Sequence, residues 1–163
     1  MIVIALGANL PSRAGPPRAT LKAALAELSG RGVHIVDVSF YYITKAWPEP
    51  SDPEFVNAVA QIETGLSPSE LLALLHRTEH SFGRVRAAKN APRSLDLDLI
   101  DFDGRTEAGP PQLPHPRLAS RAFVLAPLAD IAPHWRHPVT GKSVGELIAA
   151  LPADARAIKR LET

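Results

Sequence analysis

The run Leu95-Asp96-Leu97-Asp98-Leu99-Ile100 alternates apolar and acidic residues over the length of an ordinary strand. In an extended chain, residues two apart project to one face. Asp96 and Asp98 therefore share a face, and Leu95, Leu97 and Leu99 point the other way, into a core. A chain carrying this run must build a sheet with one face buried, and must compensate two neighbouring carboxylates on the other. A divalent cation between them is one remedy. Mg²⁺ suits it, because that ion takes one or two carboxylates and completes its shell with water and substrate phosphates. A half-exposed strand with two solvated acids is the simpler alternative. The residues just upstream bear on the choice. Arg84, Arg86, Lys89 and Arg93 concentrate positive charge suited to a polyphosphate, and Pro92-Arg93 stands directly before the strand. The metal reading is favoured.

Around this centre, hydrophobic periodicity lays out the remaining elements. Ile2 to Leu6 is a continuous apolar run, a buried strand that feeds the turn Gly7-Ala8-Asn9. Gly7 either lets the backbone approach a ligand or is an ordinary turn glycine, the simpler reading. Pro16-Pro17 can open a helix, Leu21, Leu25 and Leu28 recur at helical spacing, and Gly30 and Gly32 end it. Val33 to Thr44 predicts one long strand, with Val36, Val38 and Phe40 alternating against Asp37 and Ser39. Lys45 to Pro53, with three prolines, is a loop. Glu54 to Glu63 returns as a strand on which Phe55, Asn57 and Val59 share a face. An amide in that company is either a hydrogen-bonded core group or a reader of a heterocycle's edge.

Ser67-Pro68-Ser69-Glu70 is a capping box with proline at the first helical position. Leu71, Leu72, Leu74, Leu75, Thr78 and Phe82 follow at helical spacing, and Gly83 stops the helix. Glu79 near its end reads most simply as a solvated acid. His76 and His80 lie four apart, but no third ligand accompanies them, so solvent-facing histidines are expected. Gly83 to Arg93 is a basic connection without apolar periodicity, expected to be a mobile loop over a site. Asp103-Gly104 signals a tight turn. In the segment Leu113 to Leu125, His115 and Arg121 can bind phosphate or ribose oxygens and Phe123 can stack on a flat ring. Pro127 to Pro133 predicts a short helix and turn, and Ser143 a cap for a last helix, Val144 to Leu151. The tail from Pro152 carries no recognisable chemistry.

Composition limits the function. The chain has 163 residues, which predicts a single domain over 1–163, and its formal net charge is +1. So balanced a charge argues against a general nucleic-acid or membrane-surface binder. It contains no cysteine, which excludes disulfides and thiolate metal sites. The first residues lack the features of a signal peptide and no apolar run approaches a membrane span. A cytoplasmic protein is expected.

The string Lys89-x-Ala91-Pro92-Arg93-x-x-Asp96-Leu97-Asp98-Leu99-Ile100 closely resembles the signature of the 6-hydroxymethyl-7,8-dihydropterin pyrophosphokinases, and Leu113 to Leu125 resembles that family's second characteristic stretch. The resemblance extends over nearly the whole chain. It implies transfer of pyrophosphate from ATP to the hydroxyl of 6-hydroxymethyl-7,8-dihydropterin in folate biosynthesis, with release of AMP. It further implies two Mg²⁺ ions on Asp96 and Asp98, and catalytic roles for those residues with Arg84 and Arg93. Glu79, Arg84, Arg93, Leu99, Gln112, His115 and Arg121 would meet ATP; Thr44, Phe55, Asn57, Asp96 and Phe123 would meet the pterin. A monomer acting on two small molecules is expected. The chain departs from the family pattern in several places. Ala8 stands where serine is usual, Phe55 where tyrosine is frequent, and Pro116 where tyrosine is frequent. Lys45-Ala46-Trp47 replaces a Thr-Pro-Pro-Leu-Gly type of loop. Lys89-Asn90 stands in a stretch one residue shorter that usually carries Arg-Trp, so the aromatic lid over the pterin is missing.

The order strand–helix–strand–strand–helix–strand predicts an α+β, ferredoxin-like βαββαβ core with an antiparallel sheet and a C-terminal extension of short elements. Both helices should cover one face and leave the other free. Loops 45–53 and 84–93 would then flank a cleft floored by Phe55, Asn57, Asp96 and Asp98. Two rival functions fit such a core. A nucleic-acid-binding module would need the aromatic RNA-recognition pattern, which is absent, and the exposed acids would repel phosphate. A catalytically silent pterin binder, or a different Mg²⁺-dependent transferase, is separable only by its nucleotide product. A P-loop kinase is excluded by the lack of Gly-x-x-x-x-Gly-Lys-Ser/Thr.

Overall fold

The structure, a computed structural model, describes residues 1–85 and 88–162; Arg86 of the expected basic loop lies outside the described residues. Among the described residues, six strands and four α-helices follow one another as β1 (Ile2–Ala8), α1 (Pro17–Ser29), β2 (His34–Val38), β3 (Tyr42–Thr44), β4 (Phe55–Glu63), α2 (Pro68–Ser81), β5 (Asp96–Phe102), α3 (Ala122–Ile131), α4 (Val144–Ala150) and β6 (Lys159–Arg160). One antiparallel sheet holds them in the order β5-β1-β4-β3-β6, with β2 also paired to β4. The expected βαββαβ succession is present once β2 and β3 are read as two halves of one strand.

The apolar run of β1 is buried along its whole length because both faces of the sheet are covered. Ile2, Ile4, Leu6 and Ala8 join Ala58, Ala60 and Ile62 of β4 and Leu95, Leu97 and Leu99 in a core capped by Leu21, Leu25 and Leu28 of α1 and Leu71, Leu74 and Leu75 of α2. The alternate residues Val3, Ala5, Val59 and Ile100 form a second core with Leu118, Leu125 and Leu128, Trp135, Val144 and Leu147. The expectation that one face stays free is therefore corrected. The C-terminal segment lays α3 over part of that face, with α4 packed against α3, because Val3, Ala5, Val59 and Ile100 make it apolar there.

Two boundaries also differ from the sequence reading. The long strand over 33–44 is broken: β2 ends at Val38, and Ser39 is buried in the gap, accepting from Val59 N at 2.9 Å and donating to Phe40 O at 2.7 Å. A bulge between Ile35 and Asp37 shifts the register, so Ile35 and Val38 pack on the first core while Val36 is left exposed. That bulge defeats the simple alternation of Val36 and Val38. Helix α3 begins at Ala122 rather than Pro127, and Pro127 is accommodated inside it. The capping box Ser67–Glu70 forms as expected, Ser143 caps α4 and does so in a full box with Glu146, and Asp103-Gly104 makes its turn with φ of 53° and 69°.

Candidate active site

The second face of the sheet changes character at one register. Ala5 pairs with Val59 and Asp98, and Gly7 pairs with Asn57 and Asp96. Toward the start of β1 this face is apolar and covered by α3. Beyond that it is polar: on β5 from Asp98, opposite Ala5, through Asp96, and on the other strands from the Gly7 register outward, with Asn57 and Phe55 on β4 and Thr44 on β3. Gly7 lies within the strand and is not a turn glycine. A Cβ there would stand 3.1 Å from Asn57 Oδ1 and 3.8 Å from Phe55 Cδ1, so its lack of a side chain makes room for theirs.

Asp96 and Asp98 project together and each is met by guanidinium groups. Arg84 Nη1 donates to Asp96 Oδ1 at 2.5 Å, Arg93 Nη1 to Asp96 Oδ2 at 3.1 Å, and Arg121 Nη1 to Asp98 Oδ2 at 3.0 Å. His115 Nε2 lies 3.8 Å from Asp98 Oδ2. Burial holds the His115 imidazole below its ordinary value, with Arg121 and Arg117 acting the same way and Asp98 opposing. A neutral ring beside a carboxylate is a hydrogen-bonding group for a ligand rather than a fixed counter-charge.

Glu79 is not the solvated acid of the simplest reading. It is 7% exposed, accepts from Leu97 N at 2.8 Å, and pairs with Arg84 Nη1. Leu97 N belongs to the residue between the two aspartates, so Glu79 fixes the strand that carries them. Burial pushes its carboxyl up to about 7; the Leu97 N–H and Arg84 pull it down, and Asp96 and Asp98 add to the rise. A cavity of about 180 Å³ is lined by His76, Glu79, His80, Arg84, Asp96, Leu97 and Asp98. A second, of about 340 Å³, runs under the basic connection and is lined by Arg84, Lys89, Asn90, Arg93 and Arg117 among others.

On the opposite side of the aspartates, Asn57 is 5% exposed and donates from Nδ2 to Thr44 Oγ1 at 2.9 Å. That bond leaves Asn57 Oδ1 without a protein donor among the described residues and fixes which edge of the amide faces outward. Phe55 lies beneath Arg93, whose guanidinium carbon is 5.8 Å from the ring centre, and Arg121 lies 5.4 Å from the Phe123 ring. Direct contacts thus join Arg84, Arg93, Asp96 and Glu79 in one group and Asp98, His115 and Arg121 in another, with Thr44, Phe55, Asn57 and Phe123 beside them. Two residues stand apart. The Leu99 side chain is in the first core, so only its backbone is available to a nucleotide. Gln112 is exposed, on the segment before Leu113. Trp47 is 75% exposed, and the described residues 88–93 contain no aromatic to lie over the cleft.

Sequence reading did not assign Arg117, which lines the basic cavity, nor Asn9, which ties two loops together. A polar amide directly after a buried apolar strand was the available signal for Asn9. Arg117 offered none beyond its charge.

Two carboxylates on one strand face, ringed by arginines and adjoining a flat polar-aromatic recess, can handle a polyphosphate next to a planar heterocycle. A family model for 7,8-dihydro-6-hydroxymethylpterin-pyrophosphokinase (HPPK) matches residues 3–133. The chain belongs to this family. Among curated HPPK relatives, the 2-amino-4-hydroxy-6-hydroxymethyldihydropteridine pyrophosphokinase of Pseudomonas aeruginosa is 40% identical over 98% of this chain and 96% of its own length. The enzyme of the same name from Synechocystis sp. is 39% identical over 94% of this chain and 77% of its own length. The crystal structure of Plasmodium falciparum HPPK-DHPS superposes with a TM-score of 0.67 at 12% identity, over 90% of this chain and 43% of that one, a likeness of fold. The chain spans less than half of that longer protein.

Proposed function

We propose that this HPPK chain transfers the β,γ-pyrophosphoryl group of ATP to the hydroxyl of 6-hydroxymethyl-7,8-dihydropterin. The hydroxyl oxygen loses its proton to solvent and forms a bond to the β-phosphorus, the bond from that phosphorus to the α,β-bridging oxygen breaks, and AMP leaves. The observation that carries this reading is the Asp96–Asp98 pair set between three guanidiniums and the Asn57–Thr44 recess on one sheet face. Family membership and the near full-length relatives support the reaction.

Asp96 and Asp98 fit Mg²⁺ by their chemistry: two hard carboxylate donors, side by side and half-buried, leave the remaining ligands to water and phosphate. Two ions are proposed, and when bound they would neutralise the polyphosphate and orient it for in-line attack. The work of the side chains is positioning and charge neutralisation. Arg84, Arg93 and Arg121, which balance the aspartates here, would be available to phosphate oxygens with cations bound at the aspartates. His115 and Arg121 hold the nucleotide, together with the Leu99 backbone, Gln112 and Glu79. Asn57, fixed by Thr44, reads the pterin edge, and Phe55 and Phe123 pack on its faces. A monomeric catalytic unit is part of the proposal. Both cores share one sheet, which supports one domain over residues 1–163. No helix among the described residues is long and apolar enough to cross a membrane, and ATP as co-substrate supports a cytoplasmic reaction.

Chromatographic detection of AMP from ATP plus the hydroxymethyl-dihydropterin tests the assignment. Asp96→Asn and Asp98→Asn should each lower turnover by about 100-fold or more with unchanged circular dichroism. ADP in place of AMP, or near-normal rates in both variants, would remove the reading.

A further inference from the structure

We infer that Asn9 is a positioning residue that clamps the arginine-bearing loop and the loop leading to Phe55 onto the end of β1, and so sets both halves of the cleft at once. The inference rests on the proposed reaction for its kinetic readout, but the contacts stand by themselves. Asn9 is 3% exposed. Its Oδ1 accepts from Arg93 N at 2.7 Å, while its own N and that of Leu10 donate to Arg93 O at 3.1 and 3.2 Å. The main chain of Arg93 is thus held on both sides, three positions before Asp96. From the other end of the same amide, Nδ2 donates to Pro53 O at 3.0 Å, two positions before Phe55.

The side-chain amide offers an acceptor at one end and a donor at the other, and both are used. A carboxylate keeps the acceptor toward Arg93 N and loses the donor toward Pro53 O. The geometry beyond the clamp shows what it holds. Arg93 Nη1 reaches Asp96 at 3.1 Å while its guanidinium lies 5.8 Å from the Phe55 ring centre. Neither loop has other regular structure to fix it here: Lys45–Pro53 and residues 88–93 contain no helix or strand. Displacing a charged group by about 1 Å is enough to cost on the order of 100-fold in rate. Asn9 touches neither Asp96 nor Asp98 by any hydrogen bond between described residues, so it acts through Arg93 and through Pro53.

The test combines Asn9→Ala and Asn9→Asp with Arg93→Ala in the full chain. Single-turnover AMP formation, calorimetric pterin affinity and thermal stability are measured for each, and amide hydrogen exchange is followed at Arg93. Asn9→Ala should lower the single-turnover rate about tenfold to 100-fold in the wild-type background and change it little when Arg93 is already alanine. Asn9→Asp should lose much less rate, keep the protection of the Arg93 amide, and weaken pterin binding several-fold. Equal losses with and without Arg93, or identical behaviour of the alanine and aspartate variants, would overturn the inference. Should Asn9→Ala fail to fold, Asn9→Asp with its exchange pattern decides alone: protection kept supports the clamp, and protection lost overturns it. Wild-type AMP formation tests the reaction separately, since the exchange measurement needs no substrate.

Discussion

Glu79 illustrates how much a single residue can depend on its surroundings. Near the end of an amphipathic helix it has the sequence context of a solvated acid, yet β5 packs over it and supplies the Leu97 N–H. Its carboxyl stands at about 7 in the folded protein, above the ordinary 4.5. A carboxyl raised in the folded state contributes stability below the unfolded value, and that contribution is lost as pH rises through the folded value. In the absence of nucleotide and metal, stability should therefore fall between about pH 4.5 and about pH 7, by on the order of 3 kcal/mol. Glu79→Gln lacks this titration. Thermal unfolding of both proteins at pH 5 and pH 8 should show the variant gaining several degrees on the wild type at the higher pH. A constant gap between them would mean that Glu79 ionises without penalty in the fold.

At the scale of the element, β1 is informative because its two faces do different things along its length. Ile4 and Leu6 pack on one core throughout, while the opposite row runs Val3, Ala5, Gly7 and passes from core to cleft. Gly7 is the point of change, and it needs no unusual backbone conformation. Its contribution is the space a Cβ would take from Asn57 Oδ1, 3.1 Å away. Gly7→Ala should lower the melting temperature by no more than a few degrees, because the strand tolerates alanine and only the Asn57–Thr44 bond is disturbed. It should weaken pterin binding several-fold, about 1 kcal/mol, by turning the Asn57 amide off its bond to Thr44. Calorimetric titration checks this, and an unaltered pterin affinity would separate Asn57 from recognition. β2 carries the complementary lesson. Its valines alternate in sequence, but the bulge at Ile35–Asp37 decides which of them reaches the core.

For the whole molecule, the consequence of two cores on one sheet is cooperativity. Leu71 lies in the core under α2 and Leu125 in the core under α3, and both cores use side chains of β1, β4 and β5. Neither can dissolve without exposing one face of those strands. Leu71→Ala and Leu125→Ala should each cost about 3 kcal/mol and lower a single melting transition by roughly 10 °C. Calorimetry that resolved two transitions in Leu125→Ala would show that α3 and α4 unfold as a separate unit.

The sequence by itself determined the strand of alternating leucines and aspartates, the two capped helices, the antiparallel core order and the family. Each of these depends on local periodicity or on a short contiguous motif, and both survive in one dimension. The tertiary structure alone decided that α3, backed by α4, covers part of the second face, that Glu79 is buried, and that Asn9 grips two loops. Those outcomes depend on which distant residues arrive at a given surface. Arg93 comes to Asn9 from 84 positions away and Pro53 from 44, and no pattern within a single element carries that information.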